Sequence, residues 1–168
     1  MSRLAYNYYN GYSVIMDKKK AFELNLKSAE GGYKDASYYV GNCYFDGTGI
    51  LKGEIKAFEW YLKAAEKGEA YCQYLVAIYY NDGKYIPKNK EKGFYWNRKA
   101  AINGIIEAQY NIAKYYLDNK NKTKAFKWYL KLANKNRKRA IYLVAKFHRD
   151  GIGTRRNLHE AAIWFKKS

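Results

Sequence analysis

The stretch KAFEWYLKAAEKG (56–68) has the spacing of an amphipathic helix. Ala57, Trp60 and Ala64 follow an i, i+3, i+7 pattern, which places them on one helical face. The chain has only four tryptophans, at positions 60, 96, 128 and 164, so the gaps between them are 36, 32 and 36 residues. A bulky residue that returns at this interval indicates an internal repeat about two helices long.

Copies of this stretch recur when the 168-residue sequence is aligned on tryptophan. The helix that contains the tryptophan position recurs at 20–32, 92–104, 124–136 and 160–168, and a different helical pattern precedes each copy, at 3–11, 35–47, 70–83, 107–119 and 139–151. The sequence therefore predicts one array of five two-helix copies, with approximate bounds 1–35, 36–71, 72–107, 108–139 and 140–168. The first copy lacks most of its first helix, and the last stops partway through its second.

Several repeated positions have a clear physical role. The first four second helices are followed, eight residues after the tryptophan position, by a residue that tolerates the left-handed conformation: Gly32, Gly68, Gly104 or Asn136. The sixth position of each first helix is small, which predicts a close helix contact: Gly41, Ala77, Ala113 or Ala145. The fourth copy lacks four loop residues, so we expect a tighter turn between its helices.

These positions resemble the Sel1-like repeat family, which is related to the tetratricopeptide repeats. The family pattern A-x-Y-x-L-G-x-x-Y-x-x-G-x-G, followed by K-A-x-x-W-x-x-K-A-A-x-x-G, is matched at Ala36, Tyr38, Val40, Gly41, Tyr44, Gly47, Gly49, Lys56, Ala57, Trp60, Lys63, Ala64, Ala65 and Gly68. The resemblance implies an all-α, right-handed superhelix (a solenoid) and a non-catalytic adaptor or scaffold role in protein–protein interaction and signalling. The repeat style is similar to fungal HCP-like arrays that occur beside kinase domains.

The analogy with tetratricopeptide repeats implies a concave groove lined by the first helix of each pair. Counted from Ala36 as position 1, positions 3, 7 and 10 share one helical face and should point into it. The tyrosines at position 3 recur in the second to fifth copies, so they fit packing better than ligand selection, whereas positions 7 and 10 vary. The predicted groove residues are Tyr38, Asn42, Phe45, Tyr74, Ile78, Asn81, Tyr110, Lys114, Leu117, Tyr142, Lys146 and Arg149.

The net charge of +17 is unevenly distributed. Residues 1–84 carry 11 basic and 10 acidic residues, and residues 85–168 carry 21 and 5. This asymmetry favours a protein partner with an acidic or amphipathic segment, bound near Lys114, Lys146 and Arg149. Compositional bias is an alternative explanation, since Lys outnumbers Arg 25 to 7. Nucleic acid or an anionic membrane surface is an alternative partner, through the basic stretch KLANKNRKRA (131–140), although the sequence contains no nucleic-acid motif.

No pattern in the sequence indicates an enzyme, a cofactor or a metal site. The Gly-x-Gly turns lack the Gly-Lys-Ser/Thr that follows in phosphate-binding loops, and His148 and His159 have no evident catalytic partner. Cys43 and Cys72 fit small buried apolar residues. With no signal peptide or transmembrane segment in the sequence, we expect a cytoplasmic chain. Met1 and Ser168 fall inside helical patterns, so we expect a fragment of a longer array or an end-to-end contact.

Overall fold

The computed structural model describes residues 2–168. Met1, where we predict that the chain starts inside a first helix, lies outside them. The described residues form ten α-helices and no strand, which confirms the all-α prediction. The helices are α1 (Arg3–Asn10), α2 (Lys18–Glu30), α3 (Lys34–Asp46), α4 (Glu54–Glu66), α5 (Ala70–Asp82), α6 (Lys90–Ile102), α7 (Ile106–Asp118), α8 (Lys122–Ala133), α9 (Lys138–Asp150) and α10 (Leu158–Lys166).

The chain divides into two compact units. The N-terminal unit extends to Trp96, and the C-terminal unit comprises Asn97–Ser168. In the N-terminal unit α1 packs on α2, α2 on α3, α3 on α4 and α4 on α5; in the C-terminal unit α7 packs on α8, α8 on α9 and α9 on α10. Odd-numbered helices are thus the first helices of the copies, and even-numbered helices are the second.

The tryptophans belong to the packing between helices. Trp60 packs against the N-terminal cluster that contains Phe22, Ala29 and Val40, and Trp96 belongs to the neighbouring cluster around Tyr61. In the C-terminal unit, Trp128 and Trp164 pack against the core cluster at its partly buried edge. Because the indoles fill space beside small residues, the spacing of the tryptophans reflects the length of the two-helix repeat.

The backbone confirms the predicted helix ends. Gly32, Gly68 and Gly104 have φ of +96°, +88° and +101°, and Asn136 has φ of +55°. The fourth copy has the tighter turn expected from its lost residues, since residues 119–121 join α7 to α8 whereas residues 47–53 join α3 to α4. The close contact predicted at the sixth position is also present, because a Cβ on Gly41 would lie 2.6 Å from a ring carbon of Tyr61.

Candidate partner-binding surface

Two cavities lie between successive first helices of the N-terminal unit. The first cavity, of about 260 Å³, lies between α1 and α3, and its lining includes Tyr6, Tyr9, Tyr39, Asn42 and Asp46. The second cavity, of about 220 Å³, lies between α3 and α5 and is lined by Phe45, Ile78, Tyr79, Asp82, Lys84 and Tyr85. Of the predicted groove residues, Asn42 thus lines the first cavity, and Phe45 and Ile78 line the second.

Position 3 tyrosines of this unit take part in aromatic packing. The ring centroid of Tyr38 lies 6.2 Å from that of Tyr61 on α4 and 5.9 Å from that of Tyr71 on α5. The ring centroid of Tyr74 lies 6.2 Å from that of Tyr71. Tyr38 therefore joins its own second helix to the next first helix, a role that leaves less of the ring for a ligand.

Two polar residues of the predicted groove lie against their own second helix. The hydroxyl of Tyr61 on α4 donates a hydrogen bond of 2.8 Å to Oδ1 of Asn42. Burial raises the pKa of Tyr61 far above its usual range, so this hydroxyl stays protonated as a donor. The side-chain amide of Asn81 lies directly against Gly93 on α6, with Oδ1 so close that a Cβ on Gly93 would collide with it. Asn81 is therefore directed at α6, the second helix of its own copy, whereas Phe45 at the equivalent position lines the second cavity.

In the C-terminal unit, the α7 residues of the predicted set differ in exposure. Lys114 is exposed, whereas Leu117 is partly buried against the core cluster. Tyr110 is also partly buried, with its ring centroid 6.3 Å from that of Tyr129 and the guanidinium carbon of Arg139 5.5 Å from the ring centre. Arg139 is therefore a cation beside a predicted groove residue, and the predicted set omits it. In the repeat register Arg139 aligns with Tyr71, which packs on Tyr38. This alignment could have predicted that Arg139 lies beside Tyr110.

The α9 residues include a cation with an acidic partner. Arg149 pairs with Asp150, with Nε 2.7 Å from Oδ1 and Nη2 2.9 Å from Oδ2. The hydrogen bond from Arg149 lowers the pKa of the Asp150 carboxyl, which stays ionised. Lys146 lies with Nζ 5.7 Å from the ring centre of Tyr142, a ring that is 49% exposed. Tyr142 and Lys146 together thus present an aromatic face beside a positive charge.

Both cysteines are buried, and His148 is partly buried. Cys43 and Cys72 are free thiols, and burial raises the pKa of Cys43 to about 11 and that of Cys72 further, which makes them poor nucleophiles. His148 stacks edge-on against Phe126, with ring centroids 5.2 Å apart. Within residues 2–168, no group of three or more His, Cys, Asp or Glu could hold a metal ion. None of the described helices is long and apolar enough to cross a membrane.

Comparison with known proteins identifies the family. The Sel1 repeat profile matches residues 1–33, 34–69, 70–105, 106–136 and 138–168, which together span nearly the whole chain. The chain belongs to the Sel1 repeat family. Sel1 repeat proteins generally mediate protein–protein interactions, and their repeat scaffold is generally non-catalytic.

Solved structures of Sel1 repeat proteins have the same fold. A Sel1 repeat protein from Oxalobacter formigenes is 29% identical, with a TM-score of 0.83 over 98% of this chain and 69% of that one. A protective antigen of uropathogenic Escherichia coli strains, which displays an SLR fold, is 33% identical, with a TM-score of 0.73 over 98% of this chain and 36% of that one. These matches confirm the Sel1-type solenoid class. A comparison with curated protein sequences finds no significant match.

Proposed function

We propose that this Sel1 repeat chain is an adaptor that binds an acidic or amphipathic segment of a partner protein on the first-helix surface of its C-terminal unit. The observation that carries the proposal is the unpaired positive charge on that surface. Neither Lys114 nor Lys146 forms an ion pair with any described residue, whereas Arg149 on the same surface is paired with Asp150. Carboxylates of a partner would supply the missing counter-charges.

The distribution of charge between the units supports an acidic partner. The C-terminal unit has 18 basic and 4 acidic residues, a net charge of +14, whereas the N-terminal unit has 14 and 11, a net charge of +3. A positive field of this size speeds the encounter with an acidic segment and suppresses binding of basic ones. The rings of Tyr110 and Tyr142 lie beside the cations and offer apolar contact to the same segment.

The test is reversal of the groove charges. We expect the triple variant Lys114→Glu, Lys146→Glu, Arg149→Glu to lose about tenfold or more of its binding to proteins that the wild-type chain captures from its host, because a few kilocalories of charge complementarity are replaced by repulsion. Quantitative affinity purification measures the loss. Because Arg149 already has Asp150 as a partner, we expect most of it to come from the two lysines.

A matched control separates the groove from net charge. The variant Lys127→Glu, Lys135→Glu, Lys166→Glu changes the net charge of the C-terminal unit by the same amount at exposed positions of, or next to, second helices. We expect it to retain its partners. Equal losses in the two variants would show that the first-helix surface is not the binding site.

Anionic polymers or membrane surfaces are a second candidate, favoured by the start of α9. Arg137 precedes this helix, Lys138 and Arg139 open it, and its first turn has no acidic residue, whereas α3 and α7 have Asp35 and Glu107 in theirs. Cations at the positive end of a helix favour an added anion. Binding to duplex DNA would weaken with salt by a log–log slope of about 0.9 per neutralised phosphate. A flat salt response, on DNA and on anionic vesicles, would exclude this candidate.

A further inference from the structure

The first cavity of the N-terminal unit combines aromatic rings with a carboxylate that has no partner. Tyr6, Tyr9 and Tyr39 line it together with Asp46. The Asp46 carboxylate forms no ion pair or hydrogen bond with any described residue. Aromatic faces and a carboxylate both attract positive charge. We propose that this cavity binds a cationic side chain of a partner polypeptide, with arginine preferred to lysine because its planar head stacks on aromatic rings.

The second cavity shows what the first one lacks. The two cavities share an aromatic ring at position 10 of the preceding helix, Tyr9 or Phe45, and an aspartate at the end of the following helix, Asp46 or Asp82. The second cavity also contains a cation of its own. Nζ of Lys84 lies 4.9 Å from the ring centre of Tyr85, and both residues line this cavity.

The repeat register places Thr48 at the position of Lys84. Each follows the glycine that ends its first helix, Gly47 or Gly83, and each lines its cavity. The chain thus provides an internal cation in one cavity and a short neutral side chain in the other. A partner's arginine would take, in the first cavity, the place that Lys84 takes in the second.

The size and polarity of the first cavity also suit the head of one side chain. Its volume of about 260 Å³ is below the range of roughly 300–1,000 Å³ that is usual for drug-sized ligands. Asn42 lines it where the second cavity has apolar Ile78, and Cys43 lines it where the second has the bulkier Tyr79. The first cavity is therefore the more polar of the two, which favours a charged group over an apolar anchor.

A pair of small probes tests the proposal on the full chain. N-acetyl-arginine amide and N-acetyl-citrulline amide have nearly the same shape, but only the first is charged. Asn10, Asn42 and Thr48 all line the first cavity. We expect the arginine probe to shift their NMR signals in ¹⁵N-labelled protein in a saturable manner, and we expect the citrulline probe to bind at least about tenfold more weakly. Equal binding of the two probes, or shifts confined to other residues, would overturn the proposal.

Three variants locate the site. We expect Asp46→Asn and Thr48→Lys each to weaken arginine binding about tenfold or more, the first by removing the carboxylate and the second by supplying a cation in cis. Asp82→Asn, in the second cavity, is the matched control and should bind the probe like wild type. Asp46 is exposed and Thr48 is partly exposed, so these variants should fold normally, which their melting temperatures will check. Wild-type binding by both Asp46→Asn and Thr48→Lys would refute the assignment.

This site is independent of the acidic-segment proposal, because it lies in the N-terminal unit and attracts the opposite charge. The triple glutamate variant of the C-terminal unit should therefore bind the arginine probe normally. If that variant loses its protein partners but keeps the probe, both proposals stand. If it keeps its partners, only the acidic-segment proposal fails.

Discussion

The variant Gly153→Ala is expected to lower the free energy of unfolding of the C-terminal unit by about 2–5 kcal/mol. Gly153 has a φ of +69°, a conformation that costs a residue with a Cβ about 1–2 kcal/mol. A Cβ at this position would also collide with the carbonyl group of Lys122, at the start of α8. Because the obstacle is backbone, the overpacking adds about 1–3 kcal/mol. Urea unfolding, followed by circular dichroism, measures the sum.

Gly104 provides the control for the backbone conformation alone. Its φ is +101°, and a Cβ there would have nothing within 4 Å. Gly104→Ala, in the same unit, should therefore lose only the conformational part, about 1–2 kcal/mol. If the two variants lose the same stability, the contact between Gly153 and Lys122 is not what requires glycine.

The same contact occurs in the N-terminal unit, where a Cβ on Gly49 would meet the carbonyl group of Lys18. In both units the second glycine of the Gly-x-Gly turn packs on the start of the second helix of the preceding copy. The sequence explains the first glycine of each turn, Gly47 or Gly151, because it ends a helix in the left-handed conformation. The role of the second glycine depends on a neighbour that is remote in sequence, so only the structure reveals it.

The repeat was predictable because packing positions recur. Alanines and tryptophans return wherever helices touch, so five imperfect copies together define the helices, the left-handed residue at Asn136 and the shortened fourth turn. Helix register gives only the direction in which a side chain leaves the backbone. It does not predict which groups the end of that side chain contacts, so the binding surface is harder to predict than the helices. Phe45 and Asn81 share position 10, yet Phe45 lines a cavity and Asn81 turns towards Gly93.

Local partners also decide the charge of the predicted groove. Arg149 and Lys146 are both cations of α9, but Asp150 pairs with Arg149 and leaves Lys146 beside Tyr142. Arg139, which belongs to the basic stretch 131–140, approaches Tyr110 as the equivalent Tyr71 approaches Tyr38. Such choices depend on side-chain geometry between helices. The sequence pattern therefore predicts groove positions, but it does not predict which charged side chains are left unpaired for a partner.

The fifth copy differs from the third and fourth in the contact between its first helix and the preceding second helix. In the third and fourth copies a buried glutamine makes this contact: Nε2 of Gln73 donates to the carbonyl of Ala65 at 3.2 Å, and Nε2 of Gln109 donates to that of Ala101 at 2.9 Å. Ile141 takes the equivalent position in the fifth copy and has no donor. The preceding helix has Leu132 where the others have Ala64 and Ala100, and Leu132 is fully buried. The apolar residues Leu132 and Ile141 thus replace the alanine and the hydrogen-bonding glutamine of the other two copies.

This exchange predicts strong coupling between Leu132 and Ile141. Leu132→Ala should cost about 2–5 kcal/mol, because it leaves a cavity in the C-terminal core. Ile141→Gln alone should also destabilise, since it places an amide in a space shaped for hydrocarbon. In the double variant the shorter alanine makes room for the glutamine to donate to the carbonyl of Ala133, as its counterparts do, so we expect recovery of about 1 kcal/mol or more relative to additivity.

A double-mutant cycle by urea unfolding measures this coupling. The control pair is Ile112→Ala with Ile141→Gln, because Ile112 is equally buried but lies on α7, outside the exchanged pair. We expect the control pair to be additive within about 0.5 kcal/mol. Additivity in the Leu132 cycle as well would mean that Leu132 and Ile141 are not energetically coupled. Coupling confined to that cycle would show that this helix–helix interface can be either polar or apolar. It would also show that the residues on both sides of the interface must change together.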